Sequence, residues 1–303
     1  MLYLLCESKA RSMIDSFLHY IQYRKNYSSY TVLSYHNDIK QFQNFLLNTY
    51  QLTLNQASST HIKDWIVSLK QENKSNSSVN RKLSSLKSFY KYLSRENKIT
   101  TNPTNGVFSL KMPQKLPVFF RENEIDSAIG ETKDTENDFA NQRKTIILEL
   151  LYQTGMRRAE LLGLKDSDFN FFSLTLLVRG KGNKERIIPI SQELKNKVKQ
   201  YLIIKEENFG QTPTFIVTDK GEAAYPNFIY RIVKDSMGKV STQDKRSPHV
   251  MRHSFASTLL NNGADINAVK ELLGHANLSA TQVYTHTSFE QLKENYRKAH
   301  PRK

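Results

Sequence analysis

Apolar residues recur at helical spacing four times in the first hundred positions, which predicts four amphipathic helices. Ile14, Phe17, Leu18 and Ile21 form one stripe, and Val32, Tyr35, Ile39, Phe42 and Leu46 form a second. Ile62, Trp65, Ile66 and Leu69 supply a third. Val79, Leu83, Leu86, Tyr90 and Leu93 supply the fourth, on a helix that Ser77 or Ser78 could cap. The other side of that helix shows Arg81, Ser84, Ser85, Ser88, Lys91 and Arg95. These residue types contact phosphates, and they equally make up an ordinary solvated face. From about Thr101 to Val118 the periodicity fades, and Pro103, Pro113 and Pro117 punctuate the chain. Proline stiffens and interrupts helices, so this stretch reads as a linker.

Beyond it the pattern is mixed. Ile146, Ile147, Leu150 and Leu151 mark a buried helix that stops at Thr154-Gly155. Leu174 to Arg179 and Glu185 to Ile190 read as two strands joined by the turn Gly180-Lys181-Gly182-Asn183-Lys184. Ser191 opens a helix, and the apolar run Phe215 to Thr218 is a candidate third strand. Helices are expected from Pro226, Pro248 and Asp265, with prolines suited to first-turn positions. A last helix is expected from Ser288, where Ser288-x-x-Gln291 fits a capping box and Phe289, Leu292 and Tyr296 form a stripe. The expected domains are residues 1–102, a linker over 103–118, and residues 119–303.

Composition narrows the class. The 303 residues include 44 Lys plus Arg against 29 Asp plus Glu, a formal net charge of +15. Residues 1–112 hold 15 of those basic groups and only 6 acidic ones. Such an excess favours polyanionic partners, because each neutralised phosphate releases a counterion. Cys6 is the only cysteine, which excludes an internal disulfide and a Cys-based zinc site. No apolar run approaches the ~18–20 residues that span a bilayer. A cytoplasmic protein without a membrane association is therefore expected.

Five short motifs follow one another in the second half. They are Thr154-Gly155-Met156-Arg157-Arg158-Ala159-Glu160-Leu161, then Gly180-Lys181-Gly182-Asn183-Lys184-Glu185-Arg186, then Ser247-Pro248-His249-Val250-Met251-Arg252-His253. Leu272-Leu273-Gly274-His275 and Gln282-Val283-Tyr284-Thr285-His286 complete the series. Each alone has a bland explanation: a helix end, a solvated hairpin lysine, one of 15 tyrosines. In this order they closely resemble the tyrosine recombinase (lambda-integrase) family, and within it the Xer-like bacterial recombinases.

The resemblance implies a mainly α fold with a small β-sheet. An all-helical, SAM-like core-binding domain would precede an α+β catalytic domain, the two closing as a clamp around duplex DNA. Arg157 and Arg252 match the family's two arginines, Lys181 its hairpin lysine, His249 and His275 its histidines, and Tyr284 its nucleophile. Glu160 matches the acidic residue after the first arginine. Arg81, Lys91 and Arg95 are the candidate DNA contacts of the first domain. Arg158 and His253 receive no chemical role.

The residue types suit attack on a phosphodiester. Two guanidinium groups can donate forked hydrogen bonds to oxygens that gain charge, without metal or cofactor. A phenol with a reference pKa near ~10 needs neighbouring cations and a base, for which His249 is the candidate. His275 would donate to a phosphate oxygen, Lys181 would protonate the leaving 5′-oxygen, and Glu160 would orient Arg157 or His249. The implied product is a 3′-phosphotyrosyl enzyme, so strand exchange needs no ATP, and no G-x-x-x-x-G-K-[ST] motif is present.

The expected role is Xer-like resolution of chromosome or plasmid dimers, linked to chromosome partition and cell division. The expected partners are double-stranded DNA, recombinase protomers of the same or a related type in a tetramer on two sites, and a DNA translocase of the division machinery. A phage or conjugative-element integrase or invertase would share the same residues. A DNA-binding regulator without catalysis and a type IB topoisomerase are the other classes; the absence of covalent adducts would mark the first, and relaxation without sequence preference the second. The last helix is expected to dock its stripe into a neighbouring protomer.

Overall fold

The computed structural model describes residues 13–112, 118–130, 138–180, 184–274, 296 and 298–301. The chain divides into two compact units, Met1–Lys115 and Leu116–Lys303.

In the first unit, helix α1 occupies residues 13–19 and continues as a π-helical turn, Tyr20–Arg24. Helix α2 spans Ser29–Tyr50, α3 spans Ser59–Gln71 and α4 spans Asn76–Arg95. The four expected stripes face inward: Phe17, Ile39, Phe42, Leu46, Ile62, Leu69, Val79, Leu83, Leu86 and Leu93 are all buried in one cluster. Full burial of each such side chain contributes about 1.5–3 kcal/mol. Tyr90 is buried among them, and its hydroxyl donates to Leu54 O at 2.8 Å, so the phenol's polar end is satisfied.

Two local expectations are corrected. Helix α4 is capped by Ser75, whose Oγ accepts from Ser78 N at 3.2 Å, two or three residues earlier than Ser77 or Ser78 would place it. Ser85 does not share the exposed side with Arg81; it is fully buried, with its hydroxyl donating to Lys82 O at 2.7 Å. That bond lets a small polar residue enter a core. After α4 the chain stays attached to this unit. Asn80 pairs with both main-chain groups of Leu110 at 2.8 and 2.9 Å, and Val107 is buried.

In the second unit, helix α5 is Glu122–Gly130 and α6 is Phe139–Thr154. From Ile146 to Thr154 every residue of α6 is buried, which makes it the central helix around which the unit packs. Gly155 ends it at φ +58°, and a Cβ there would lie 2.3 Å from Phe255 Cδ1. Only glycine fits that left-handed, crowded position.

A short helix α7, Arg158–Leu162, leads into a three-stranded antiparallel sheet: β1 (Phe169–Asn170), β2 (Thr175–Arg179) and β3 (Glu185–Pro189). Val178 pairs with Arg186, and Gly180 N donates to Lys184 O at 2.7 Å, closing the base of the hairpin. The expected third strand over Phe215 to Thr218 does not form. Those residues pair only through a single bridge between Val217 and Ala223, while Phe215 N donates to Leu164 O at 2.8 Å. The sheet's third member is instead the two-residue β1.

Helix α8 spans Gln192–Phe209 and is capped by Ser191. Helices α9 (Pro226–Val240), α10 (Pro248–Asn261) and α11 (Ile266–Leu273, capped by Asp265) begin where the prolines and the aspartate point. The expected helix start at Ser288, with Phe289 and Leu292, lies outside the described residues. Tyr296 is described and sits in the core of its own unit. Its hydroxyl donates to Gln153 O at 3.0 Å and its ring stacks on buried His300 at 4.9 Å. Tyr296 thus packs within its own chain.

Candidate active site

Helix α6 ends at Thr154 because Gly155 turns the chain, and that turn presents Arg157 at the head of α7. Glu160, one turn on, accepts from Arg157 N at 2.7 Å and from Arg157 Nη1 at 2.8 Å. A carboxylate in the first turn also suits the positive end of a helix. Arg252 comes from the buried face of α10 and donates to Gly155 O and to Leu273 O, each at 2.6 Å. Arg157 reaches the same place by longer contacts, Nη1 to Leu273 O at 3.5 Å and Nη2 to Gly274 O at 3.4 Å.

The meeting point is the C-terminal end of α11, where Gly274 adopts φ +65°. The last carbonyls of a helix lack intrahelical partners and carry the negative end of its dipole. They therefore hold cations close together that would otherwise repel.

Burial, then the charge of Arg157, draws the Arg252 pKa down to about 10, so it stays protonated at neutral pH. Burial alone would push the Glu160 carboxyl up. Hydrogen bonds and charge from Arg186, with hydrogen bonds from Arg157, outweigh it and hold the carboxyl below its usual 4.5. His249 lies on α10 three residues before Arg252 and reaches solvent. Desolvation of its ring comes first, then the charges of Arg158, His253, Arg252 and Arg157, and together they hold its pKa below 6.5. A neutral imidazole at pH 7 can accept a proton.

The structure thus gathers Arg157, Glu160 and Arg252 at the residue preceding His275, with His249 in the same electrostatic neighbourhood. Lys181, His275 and Tyr284 lie outside the described residues, although the segments that lead into them, Gly180 and Gly274, are described. In the first unit, Lys91 is exposed as expected. Arg81 donates to both oxygens of buried Asp38 at 2.5 and 2.9 Å, with half of its side chain still exposed. Arg95 stacks on Tyr20 at 4.2 Å and bonds its hydroxyl at 2.6 Å. Both arginines are held by intrachain partners, which the periodicity did not reveal.

One residue at the site received no role from the motifs. Arg186, on β3, is almost fully buried and forms a bidentate pair with Glu160 at 3.0 and 2.8 Å. Its signal was present: strand alternation points it inward, and an inward arginine requires a partner. No group of three or more His, Cys, Asp or Glu suited to a metal occurs among the described residues, and no helix among them is long and apolar enough to cross a membrane.

Several cations gathered around one acid, on a helical scaffold, define the class: a protein that can hold a phosphate ester. Comparison with known proteins makes the assignment specific. Residues 119–291 match the phage integrase family, and residues 14–97 match the phage integrase N-terminal SAM-like domain. A tyrosine recombinase XerC of Listeria innocua is 39% identical over 290 residues, 94% of this chain and 96% of that protein. The fold also matches XerH site-specific recombinase bound to palindromic difH substrate in a post-cleavage complex (TM-score 0.67, 22% identity, 93% of each chain). It further matches a lambda integrase tetramer bound to a Holliday junction (TM-score 0.68, 19% identity, 94% of this chain and 77% of that one). The chain belongs to the phage integrase family and is an Xer-like tyrosine recombinase.

Proposed function

We propose that this recombinase cuts and rejoins DNA through a 3′-phosphotyrosyl link on Tyr284, and that its task is to resolve chromosome or plasmid dimers. The observation that carries the reading is the convergence of Arg157 and Arg252 on the end of α11, immediately before His275. A scissile phosphate placed there would meet the exposed N–H groups of Arg157, and Arg252 would add a second positive charge. His249 takes the phenolic proton, Lys181 protonates the leaving 5′-oxygen, and His275 donates to a non-bridging oxygen. Glu160 holds Arg157 in place.

Residues 1–102 form the core-binding domain, with Arg81, Lys91 and Arg95 on the DNA backbone, and residues 119–303 form the catalytic domain. The enzyme works in the cytoplasm. Its assembly is a tetramer with protomers of the same or a related type on two DNA sites, served by a DNA translocase of the division machinery.

The test is to trap covalent protein–DNA adducts in the cells that encode the chain and to sequence the attached DNA. A single chromosomal locus, or plasmid dimer-resolution sites, supports the proposal. Ends of a phage or conjugative element would assign the chain to integration instead, and no adduct at all would remove the catalytic reading.

A further inference from the structure

Arg186 joins three of the segments that frame the site, its own strand and two that it bonds. It belongs to β3, which pairs with β2 in a hairpin whose base is closed between Gly180 and Lys184. Its Nη1 and Nη2 bond the two Glu160 oxygens on α7, and its Nε donates to Leu272 O on α11 at 2.8 Å. It packs so closely on Gly274 that a Cβ there would lie 3.2 Å from Nη1 and 3.3 Å from Cδ. A carboxylate offers about four acceptor directions. At Glu160 two go to Arg186, and the other two go to the backbone N and Nη1 of Arg157.

We propose that Arg186 is a positioning residue for DNA cleavage. It neutralises Glu160, so that the charge of Arg157 remains available to the scissile phosphate, and it fastens the hairpin to the end of α11. Without it, Glu160 would be a buried carboxylate with Arg157 as its remaining cation, and an uncompensated buried charge is strongly unfavourable. Arg157 would be drawn fully onto that carboxylate and away from DNA. The proposal rests on the reading of Arg157 as the arginine that grips the phosphate.

The experiment is single-turnover cleavage by the full chain, on a nicked duplex carrying the site recovered from covalent adducts. The rate constant is read at saturating protein, where it reports folded molecules alone. Arg186→Met is expected to slow cleavage about 100-fold, the size of effect seen when one stabilising donor is lost, while binding of the same duplex is retained. Adding Glu160→Gln removes the charge that needed Arg186 and is expected to recover about tenfold of that loss. A purely structural arginine gives no such recovery. If Arg186→Met does not fold, Arg186→Gln, which keeps a donor for the carboxylate, takes its place in the same comparison. A double variant no faster than the single one, or a single variant cleaving at the wild-type rate, overturns the proposal. Arg157→Ala in the same assay separates the two ideas: a wild-type rate there overturns the underlying reading of Arg157 itself.

Discussion

Arg252 and Arg157 share one acceptor, the main-chain oxygen of Leu273, which lies 2.6 Å from Arg252 Nη2 and 3.5 Å from Arg157 Nη1. The short bond belongs to the buried arginine and the long one to the arginine whose side chain is 40% exposed. The pair is therefore asymmetric. Arg252 is built into the scaffold, whereas Arg157 keeps donors for an incoming anion.

That asymmetry separates two substitutions. Arg157→Ala is expected to raise the cleavage barrier by about 2.7–4 kcal/mol and to cost less thermal stability than Arg252→Ala, because Arg186 still compensates Glu160. Arg252→Ala should slow cleavage similarly and also lower stability, by about 1–3 kcal/mol, because the buried Gly155 and Leu273 oxygens lose their donor. Melting curves beside single-turnover rates check both. Identical melting of the two variants would contradict the asymmetry.

A second prediction concerns pH. An imidazole accepts a proton only when neutral, so with His249 as the proposed base cleavage should fall on acidification through its pKa, which lies below 6.5. Arg158 comes first among the charges that keep it there. Removing a nearby positive charge favours the imidazolium, so Arg158→Ala should move the acid limb of the rate profile to higher pH. An unmoved limb would show that Arg158 does not tune this histidine.

Gly155→Ala tests the turn that delivers Arg157. The substitution demands left-handed backbone from a residue with a Cβ, about 1–3 kcal/mol, and drives that Cβ into Phe255. A clear drop in melting temperature together with lost cleavage is expected. A variant as stable as the parent would mean that the turn can relax without consequence.

How much of this was legible beforehand varied with the kind of signal. Gly155, Ser191 and the prolines at 226 and 248 mark element ends through backbone chemistry that acts locally, and the structure uses each of them. The run from Phe215 was ambiguous because its residues are apolar without alternation, a pattern that does not tell a strand from a buried connector. Strand β1 was invisible at two residues. Ser75, Ser77 and Ser78 are all capping types, and only the start of the helix decides among them. At the site, motif order singled out Arg157, Glu160 and Arg252. The role of Arg186 depends on partners 26 and 86 residues away, which no local pattern records.

The C-terminal segment yields a prediction about stability. Tyr296, Ala299 and His300 are buried in the second unit, and Asn262 Nδ2 donates to Ala299 O at 2.7 Å. Truncation after residue 295 should therefore destabilise the chain by about 3–5 kcal/mol, the usual range for losing a buried aromatic. Tyr296→Phe deletes the bond to Gln153 O and should cost about 1 kcal/mol. Unchanged melting of the truncated chain would contradict packing in cis.

Nucleophile identity is the claim on which the rest depends, and Tyr284→Phe tests it directly. Wild-type protein incubated with a nicked duplex carrying its site should form a covalent adduct that maps to Tyr284 by mass spectrometry. The phenylalanine variant should bind the same duplex and form none. Tyr296, whose buried hydroxyl is committed to Gln153 O, offers no substitute. A covalent adduct persisting in Tyr284→Phe would contradict the account.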